Sequence, residues 1–356
     1  MQVSTFKAFL TVVFFSVFSI GFAFSSSSDS DEKPFDTNEL IFHHITDSHG
    51  FHVAGDISVP LPVILWTDNG LVMFLSNEFH HDVEGKTIVE KGGQKFVNVH
   101  EKIYQLDGGA TTVAFDAENH PTNAKRPLDL SITKNVFSMF LSMFLIVLIF
   151  TTAARSYKKS ATNMPSGIGK FLEPIIVFIR DEVAIPNIGE HKYHRYMPFL
   201  LTLFFFIWIN NIFGLIPFFP FSSNLSGNIA FTMTLAVITF VITLFSSKSY
   251  YWKHIFWMPG VPVYMKLFLA PIEFLGIFIK PMALMIRLFA NITAGHVIVL
   301  SLISLIFVLN SIWVSPASVI FTVFISVIEV LVVAIQAYIF TMLSALYFGQ
   351  ALEEEH

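Results

Sequence analysis

The sequence predicts an all-α polytopic membrane protein with about five transmembrane helices, preceded by a small α+β or β-rich extramembrane domain. Three observations predict this fold class. First, 54% of the 356 residues are hydrophobic and only 13% are charged, about half the charged fraction of a soluble domain. Second, a polar stretch of about a hundred residues is followed by long apolar segments. Third, the last two apolar segments are longer than an upright crossing needs.

Charge and cysteine content exclude several classes of function. The formal net charge is -5, which argues against nucleic acid as a partner. The chain has no cysteine, so disulfides and cysteine-ligated zinc or iron–sulfur centres are excluded. We expect no cofactor and no metal; the histidines of the chain are a separate question.

Residues 1–23 are predicted to be a secretory signal. Lys7 supplies the positive charge near the start, and an apolar run extends from Ala8 to Ala23. Gly21 and Ala23 are small residues at the two positions that a signal peptidase recognises, which predicts cleavage after Ala23. The alternative is an uncleaved anchor helix, because the run is close to the minimum length of a span.

Residues 24–134 are predicted to form a domain on the outer side of the membrane. Apolar runs at Ile57–Trp66 and Leu71–Leu75 flank Thr67-Asp68-Asn69-Gly70, a pattern typical of a β-hairpin. Eight of the thirteen histidines lie in this part of the chain. Surface or packing roles are favoured over metal binding because no ligand spacing is diagnostic among six of them. These six are His43, His44, His49, His52, His80 and His81.

Residues 135–356 form the predicted membrane domain. The five apolar segments are Val136–Ala154, Pro198–Pro217, Ile229–Phe245, Leu267–Leu309 and Pro316–Phe348. The Arg155–Met197 connection holds seven Lys and Arg and the Ser246–Lys266 connection holds three, whereas the other two connections hold none. The positive-inside rule then predicts that both basic connections and the tail Glu353–His356 are cytoplasmic. The N-terminal domain would lie outside a bacterial inner membrane.

The last two segments are too long for a simple crossing. Their 43 and 33 residues extend about 64 and 50 Å as helices, against a hydrocarbon core of about 30 Å. Straight helices of this length would be steeply tilted, by roughly 50–60°. Pro271 and Pro281 could instead kink the first. Such helices are expected to lie against a curved or protein-lined surface, and the alternative is a re-entrant loop with one ordinary span.

Ionisable residues in these segments are candidates for function, because each intramembrane charge costs about 2.5–3.5 kcal/mol. Glu273, Lys280 and Arg287 recur at intervals of seven, which places them on one helical stripe. Glu273 and Lys280 also fit a location near the cytoplasmic surface, where a long side chain reaches water. Arg287 cannot deprotonate, so it must face a carboxylate or a water-filled cavity. The structural alternative is a fixed ion pair between Arg287 and Glu329.

Helix geometry separates a second group of residues from Arg287. Asn291 shares the face of Arg287, whereas His296, nine residues further on, faces the opposite side. Glu329 and Gln336 are seven residues apart and share a face of the last segment. If the two helices pack antiparallel, His296 and Glu329 can meet. A His–carboxylate pair of this kind can relay protons.

Three stretches carry a family resemblance. They are KPMALMIRLFANITAGH at Lys280–His296, EVLVVAIQAYIF at Glu329–Phe340 and NIFGLIP at Asn211–Pro217. They closely resemble signatures of subunit a of the F-type ATP synthases, and the similarity runs from about Phe137 to the C-terminus. The chain is therefore identified as resembling that family.

The resemblance implies the stationary, non-catalytic half of a rotary ion motor, in which two half-channels lead to a rotating ring of c subunits. Arg287 would face the ring, and Asn291 would lie beside it. The access paths would be lined or tuned by Glu273, Asn211, Asn228, His296, Glu329 and Gln336. The implied partners are the ring of c subunits, the subunit b peripheral stalk, the rest of the ATP synthase complex and the lipid bilayer.

The chain departs from the best-known bacterial pattern of that family in two respects. That pattern has a carboxylate at the position of His296 and a histidine at the position of Glu329, so the pair is exchanged here. No motif explains the domain at residues 24–134. Two other functions stay open: a stand-alone transporter that uses Arg287, although no internal repeat is seen, and a membrane enzyme that uses His296 and Glu329, although no accompanying catalytic motif is present.

Overall fold

The structure is a computed structural model in which two compact units are present. It describes residues 46–54, 57–80, 82–107, 110, 112–116, 121–159, 167–216, 219–221, 223–258, 261–309 and 314–353. The predicted signal at residues 1–23 lies outside the described residues, as do His43, His44 and His81. One unit, here called the β-rich unit, comprises the described residues up to Phe140 together with those of Ile216–Ser223. The other, the helical unit, comprises those of Leu141–Leu215 and from Asn224 onward.

The β-rich unit is built from short antiparallel strands. A two-stranded sheet pairs β1 (Gly50–Ala54) with β2 (Ile57–Pro60). A three-stranded sheet is formed by β3 (Pro62–Thr67), which lies between β4 (Gly70–Leu75) and β9 (Leu128–Asp129). A four-stranded sheet contains β5 (Val89–Lys91), β6 (Gln94–Val99), β7 (Lys102–Leu106) and β8 (Ala124–Lys125), in that order.

The predicted hairpin is present as β3 and β4. Thr67 pairs with Gly70 around a two-residue turn, and Gly70 adopts a φ of +113°, which glycine tolerates without strain. The apolar run Ile57–Trp66 is divided between β2 and β3 at Leu61. Its N–H donates to the carbonyl oxygen of His49. Proline precedes and follows Leu61, and neither proline can donate to a continuing ladder.

The core of the β-rich unit lies on one face of the hairpin. Val63 and Leu65 are fully buried on β3 and pack with aromatic side chains from neighbouring elements. The ring of Phe74 lies 5.6 Å from that of Phe79 and 5.8 Å from that of Phe96. Alternation along β3 and β4 therefore sends one set of side chains into this core and the other set to the surface.

Eight α-helices occur among the described residues. They are α1 (Lys134–Lys159), α2 (Ile168–Phe178), α3 (Ile185–Ile188), α4 (Tyr193–Gly214), α5 (Ile229–Ser246), α6 (Ser249–Phe256), α7 (Val263–Leu309) and α8 (Val314–Leu352). Five of them, α1, α4, α5, α7 and α8, are long and apolar enough to cross a membrane. They coincide with the five predicted segments and extend most of them by a few residues.

The two long segments are each one continuous helix. α7 has 47 residues and α8 has 39, so they extend about 70 and 58 Å. Pro271 and Pro281 lie inside α7 without ending it. The alternative of a re-entrant loop with one ordinary span is therefore wrong.

The sequence did not predict the short helices of the basic connections. Between α1 and α4 the chain forms α2, a π-helical turn at Ile179–Ala184 and α3, and α6 follows α5. The reason is that these pieces are short and partly polar, so they resemble loops by hydropathy. α3 packs closely on α8, where a Cβ added at Gly349 would collide with the carbonyl oxygen of Asn187. Nearby, the rings of Tyr196 and Phe348 stack 5.0 Å apart.

Candidate functional site

The candidate site is built on α7 and α8, which pack antiparallel. Nζ of Lys280 donates to Oε1 of Gln350 over 2.9 Å, whereas His296 lies beside Glu329. Moving along α7 from residue 280 to residue 296 thus corresponds to moving backward along α8. The antiparallel arrangement on which the predicted meeting of His296 and Glu329 depended is present.

His296 and Glu329 form a close pair inside the helical unit. Nδ1 of His296 lies 3.7 Å from Oε1 of Glu329, within ion-pair range but beyond a hydrogen bond. The Glu329 side chain is only 5% exposed, and its Oε1 has no hydrogen-bond partner among the described residues. Gly295 makes room for it, since a Cβ there would come within 2.7 Å of Oε1. A small rearrangement would bring the two groups into proton-transfer distance.

Arg287 lies on the opposite side of α7, with its side chain exposed. Asn291, one turn further on, is also exposed on this face, as the sequence predicted. The neighbouring positions of the same face are the small residues Ala283, Ala290 and Ala294. The alternative of a fixed ion pair between Arg287 and Glu329 is wrong, because Glu329 is buried on the other side. Among the described residues no carboxylate lies within ion-pair distance of Arg287.

The amide side chains named by the sequence lie in different environments. Asn211 is buried on α4, and its Nδ2 has no hydrogen-bond partner among the described residues. Gln336 is buried on α8, two turns from Glu329. Asn228 caps the start of α5, where its Oδ1 accepts from the N–H of Ala230 over 2.9 Å. The capping contact gives Asn228 a structural task that the sequence did not predict.

Glu273 and Lys280 lie nearer to the start of α7 than Arg287 does. Glu273 is half-buried near Tyr251 of α6, and burial together with the Glu273 carboxylate raises the pKa of the Tyr251 hydroxyl. Lys280 also lies above the ring of Tyr347, 5.7 Å from its centroid. Together with polar groups from α5 and α8 it lines a cavity of about 10 Å³, close to the smallest that holds one water molecule. Sequence reasoning missed Tyr251, Tyr347 and Gln350, because single polar residues on different elements have no spacing signal.

His49 is the histidine of the β-rich unit with the closest carboxylate neighbours that the structure describes. Among the described residues no group of three His, Asp or Glu side chains could hold a metal ion. His49 is buried, with Nε2 3.2 Å from Oδ2 of Asp129 and Nδ1 4.0 Å from Oε2 of Glu101. Burial alone would lower the pKa of His49, but the hydrogen bond to Asp129 and the two carboxylate charges raise it to about 9. Burial likewise opposes ionisation of Asp129, yet the bonds from His49 and Ser131 lower its pKa to about 2.

Comparison with known proteins decides the family. A family model described as "ATP synthase A chain" matches residues 136–349, more than half of the chain and all but a few end residues of the five candidate spans.

The chain belongs to the ATP synthase A chain family.

Members of this family are among the relatives. A protein of Chloroherpeton thalassium named "ATP synthase subunit a" is 43% identical over 233 residues, which cover 64% of this chain and 68% of the relative. A "subunit a 2" of Chlorobaculum tepidum is 46% identical over 230 residues, 63% of this chain and 64% of the relative. An Anaeromyxobacter "ATP synthase subunit a" is 37% identical over 299 residues, which cover 78% of this chain and 71% of the relative.

A second family model, described as "Domain of unknown function (DUF8433)", matches residues 40–130. The β-rich part thus has a family of its own, to which no activity is attached.

Membership of the A chain family together with five candidate spans makes this chain a multi-pass membrane protein.

Proposed function

We propose that this chain is the ion-translocating, stationary subunit of the membrane sector of an F-type ATP synthase, which forms two half-channels against a rotating ring of c subunits. One observation carries the proposal. Arg287 is exposed on a face of α7 with small neighbours, while the His296–Glu329 pair is buried on the opposite face. A permanent cation on a free helix face fits an external partner that brings its own carboxylates.

The geometry supports different roles for the two faces of α7. Arg287 would attract each ionised carboxylate of the c-ring and act as an electrostatic barrier to direct ion leakage between the half-channels. Asn291 would lie beside it at the same contact. The access paths would be lined or tuned by the buried or half-buried group of Glu273, Asn211, Asn228, His296, Glu329 and Gln336. The chain itself would catalyse no bond-making step, because nucleotide chemistry would belong to its partners.

The same proposal extends to domains, orientation and partners. Residues 1–23 would be a cleaved signal, residues 24–134 an extracytoplasmic domain and residues 135–356 the membrane domain. The N-terminal domain would lie outside a bacterial inner membrane and the C-terminus in the cytoplasm, in agreement with the basic connections after α1 and α5. Subunit b would contact this chain within the complex, in addition to the c-ring and the lipid bilayer.

Ion flux in reconstituted vesicles tests the proposal. The purified chain alone and the complete complex, with the wild-type subunit or the Arg287→Ala variant, would each be assayed for ATP-driven proton uptake. We expect coupled uptake only in the wild-type complex. An Arg287→Lys variant is the matched control, because it keeps a positive charge but loses the planar, always-charged guanidinium.

Two results would contradict the proposal. Normal coupled pumping by the Arg287→Ala complex would remove Arg287 from the mechanism. Substrate-specific transport by the chain alone would instead indicate a self-contained transporter. Quantifying the assembled complex in each vesicle preparation separates a loss of coupling from a failure to assemble.

A further inference from the structure

The three-stranded sheet of the β-rich unit has two apolar faces. One face packs into the core through Val63, Leu65 and Phe74. The opposite face carries large apolar side chains that are 47–63% exposed. These side chains, here called the apolar sheet face, are Trp66, Leu71, Met73, Leu75, Leu128 and Leu130.

Strand register makes the apolar sheet face continuous. Trp66 pairs with Leu71 on one side and with Leu128 on the other, and the N–H of Leu130 donates to the carbonyl oxygen of Ile64. Leu71, Met73 and Leu75 are alternate residues that occupy about 20 Å along β4. Three strands spaced by about 4.8 Å give a width of about 14 Å, so the footprint is roughly 300 Å². A patch of this size is comparable to the largest apolar patch on a typical monomer, which is often a contact surface.

The apolar sheet face leads directly into the first span. After β9 the N–H of Ile132 donates a hydrogen bond to the carbonyl oxygen of Pro62, and α1 begins at Lys134. Leu130 is therefore at most about 14 Å along the chain from the start of the helix. α1 has 26 residues and extends about 39 Å, so it exceeds a hydrocarbon core of about 30 Å and reaches the headgroup layer.

We propose that the apolar sheet face rests in the interfacial layer of the bilayer next to α1, with Trp66 among the lipid headgroups. Three observations favour lipid over a second copy of the chain. The face is continuous in sequence with a helix whose own apolar side chains, such as Val147, are exposed. Its footprint is less than half of the roughly 800 Å² that each partner of a stable dimer buries. Exposed Lys125 and Arg126 lie between the start of β8 and β9, one proline before β9, and can contact lipid phosphates.

A spin-label experiment tests this contact. The chain has no cysteine, so a single introduced cysteine is a unique attachment point for a nitroxide. Met73→Cys and Leu71→Cys place the label on the apolar sheet face. Lys102→Cys, at an exposed position on β7 of the four-stranded sheet, is the aqueous control. Val147→Cys on α1 is the lipid control. Collision rates with oxygen and with a water-soluble nickel chelate are measured on the full chain in phosphatidylcholine–phosphatidylglycerol vesicles.

We expect the two face labels to resemble Val147→Cys, with an oxygen-to-nickel collision ratio several-fold above that of Lys102→Cys. A ratio equal to that of Lys102→Cys at either position would overturn the proposal, since the face would then be in water. Low collision rates with both reagents would overturn it too, because another polypeptide would cover the face. Dipolar broadening between labels would then identify that polypeptide as a second copy.

Discussion

The carboxylate of Glu329 is seated against the backbone of Gly295, one residue before its partner His296. A Cβ at position 295 would approach Oε1 to 2.7 Å and the carboxyl carbon to 3.0 Å, both shorter than ordinary contacts. The absence of a side chain at this position therefore leaves the space that the Glu329 carboxyl group occupies, 3.7 Å from the imidazole of His296.

Gly295→Ala is predicted to impair proton translocation. The added methyl group must displace Glu329, and a misplacement of about 1 Å in a reacting group can cost about a hundredfold in rate. We expect ATP-driven proton uptake by the reconstituted complex to fall by at least about tenfold. Gly276→Ala is the matched control on the same helix, because nothing described lies within 4 Å of its Cβ position. Equal rates in the two variants would show that the position of Glu329 does not limit translocation.

Exchanging His296 and Glu329 is predicted to restore part of the proton pumping that either single substitution removes. His296→Glu alone places two carboxylates 3–4 Å apart, and Glu329→His alone leaves two imidazoles, so each loses the complementary pair. The double variant keeps one histidine and one carboxylate. Proton pumping of the double variant should exceed that of both single variants, measured at equal complex content. Pumping that is equally low in all three would argue against an interaction between the two groups.

Gly349→Ala is predicted to destabilise the helical unit. The new methyl group would collide with the carbonyl oxygen of Asn187, a backbone atom that cannot rotate away. Overpacking of this kind costs typically about 1–3 kcal/mol. Thermal unfolding of the detergent-solubilised chain should show a lower midpoint than the wild type. Gly276→Ala should leave the midpoint unchanged or slightly raised, because alanine favours helix over glycine. An unchanged midpoint in Gly349→Ala would mean that α3 and α8 can separate at no cost.

The ion pair between buried His49 and half-buried Asp129 is predicted to make the β-rich unit sensitive to pH. The pKa of His49 is raised to about 9 from 6.5, so its stabilising contribution is complete below pH 6.5 and is lost as the pH rises through 9. The pKa of Asp129 is lowered to about 2 from 3.8, so its contribution is complete above pH 3.8 and is lost as the pH falls through 2. Maximal stabilisation by this pair is therefore expected between about pH 4 and pH 6.5.

Amide hydrogen exchange on the intact chain measures this dependence. Other charged groups around the pair are Glu101, Asp47, whose pKa burial raises, and Lys134 at the start of α1. Exchange in β1 and β9, corrected for the intrinsic effect of pH, should accelerate between pH 6.5 and pH 9.5 in the wild type. Asp129→Asn keeps the shape of the side chain but removes its charge, and it should abolish most of this acceleration. A wild type with no acceleration would contradict the ion-pair assignment.

Much of the helical unit could be predicted because hydropathy and helical periodicity are local properties of the sequence. The five spans follow from the apolar segments. The shared face of Arg287 and Asn291, and the position of His296 on the opposite face, follow from the 3.6-residue repeat of a helix. The hairpin at Thr67–Gly70 also depends on neighbouring residues alone. The division of the run at Leu61 was not predicted, although prolines flank it, because the partner of its N–H is the carbonyl oxygen of His49, just before β1.

By itself, the sequence determined the five apolar helices, the family signatures and the residue types at the candidate site, because each of these is encoded within one helix or one turn. Only the tertiary structure decided that Glu329 pairs with His296 rather than with Arg287, that Asn228 caps α5, and that one sheet face of the β-rich unit stays uncovered. These features depend on the packing of segments distant in sequence. Such packing is set by whether backbones can approach, as at Gly349 and Asn187, and that distance is not a property of any single segment.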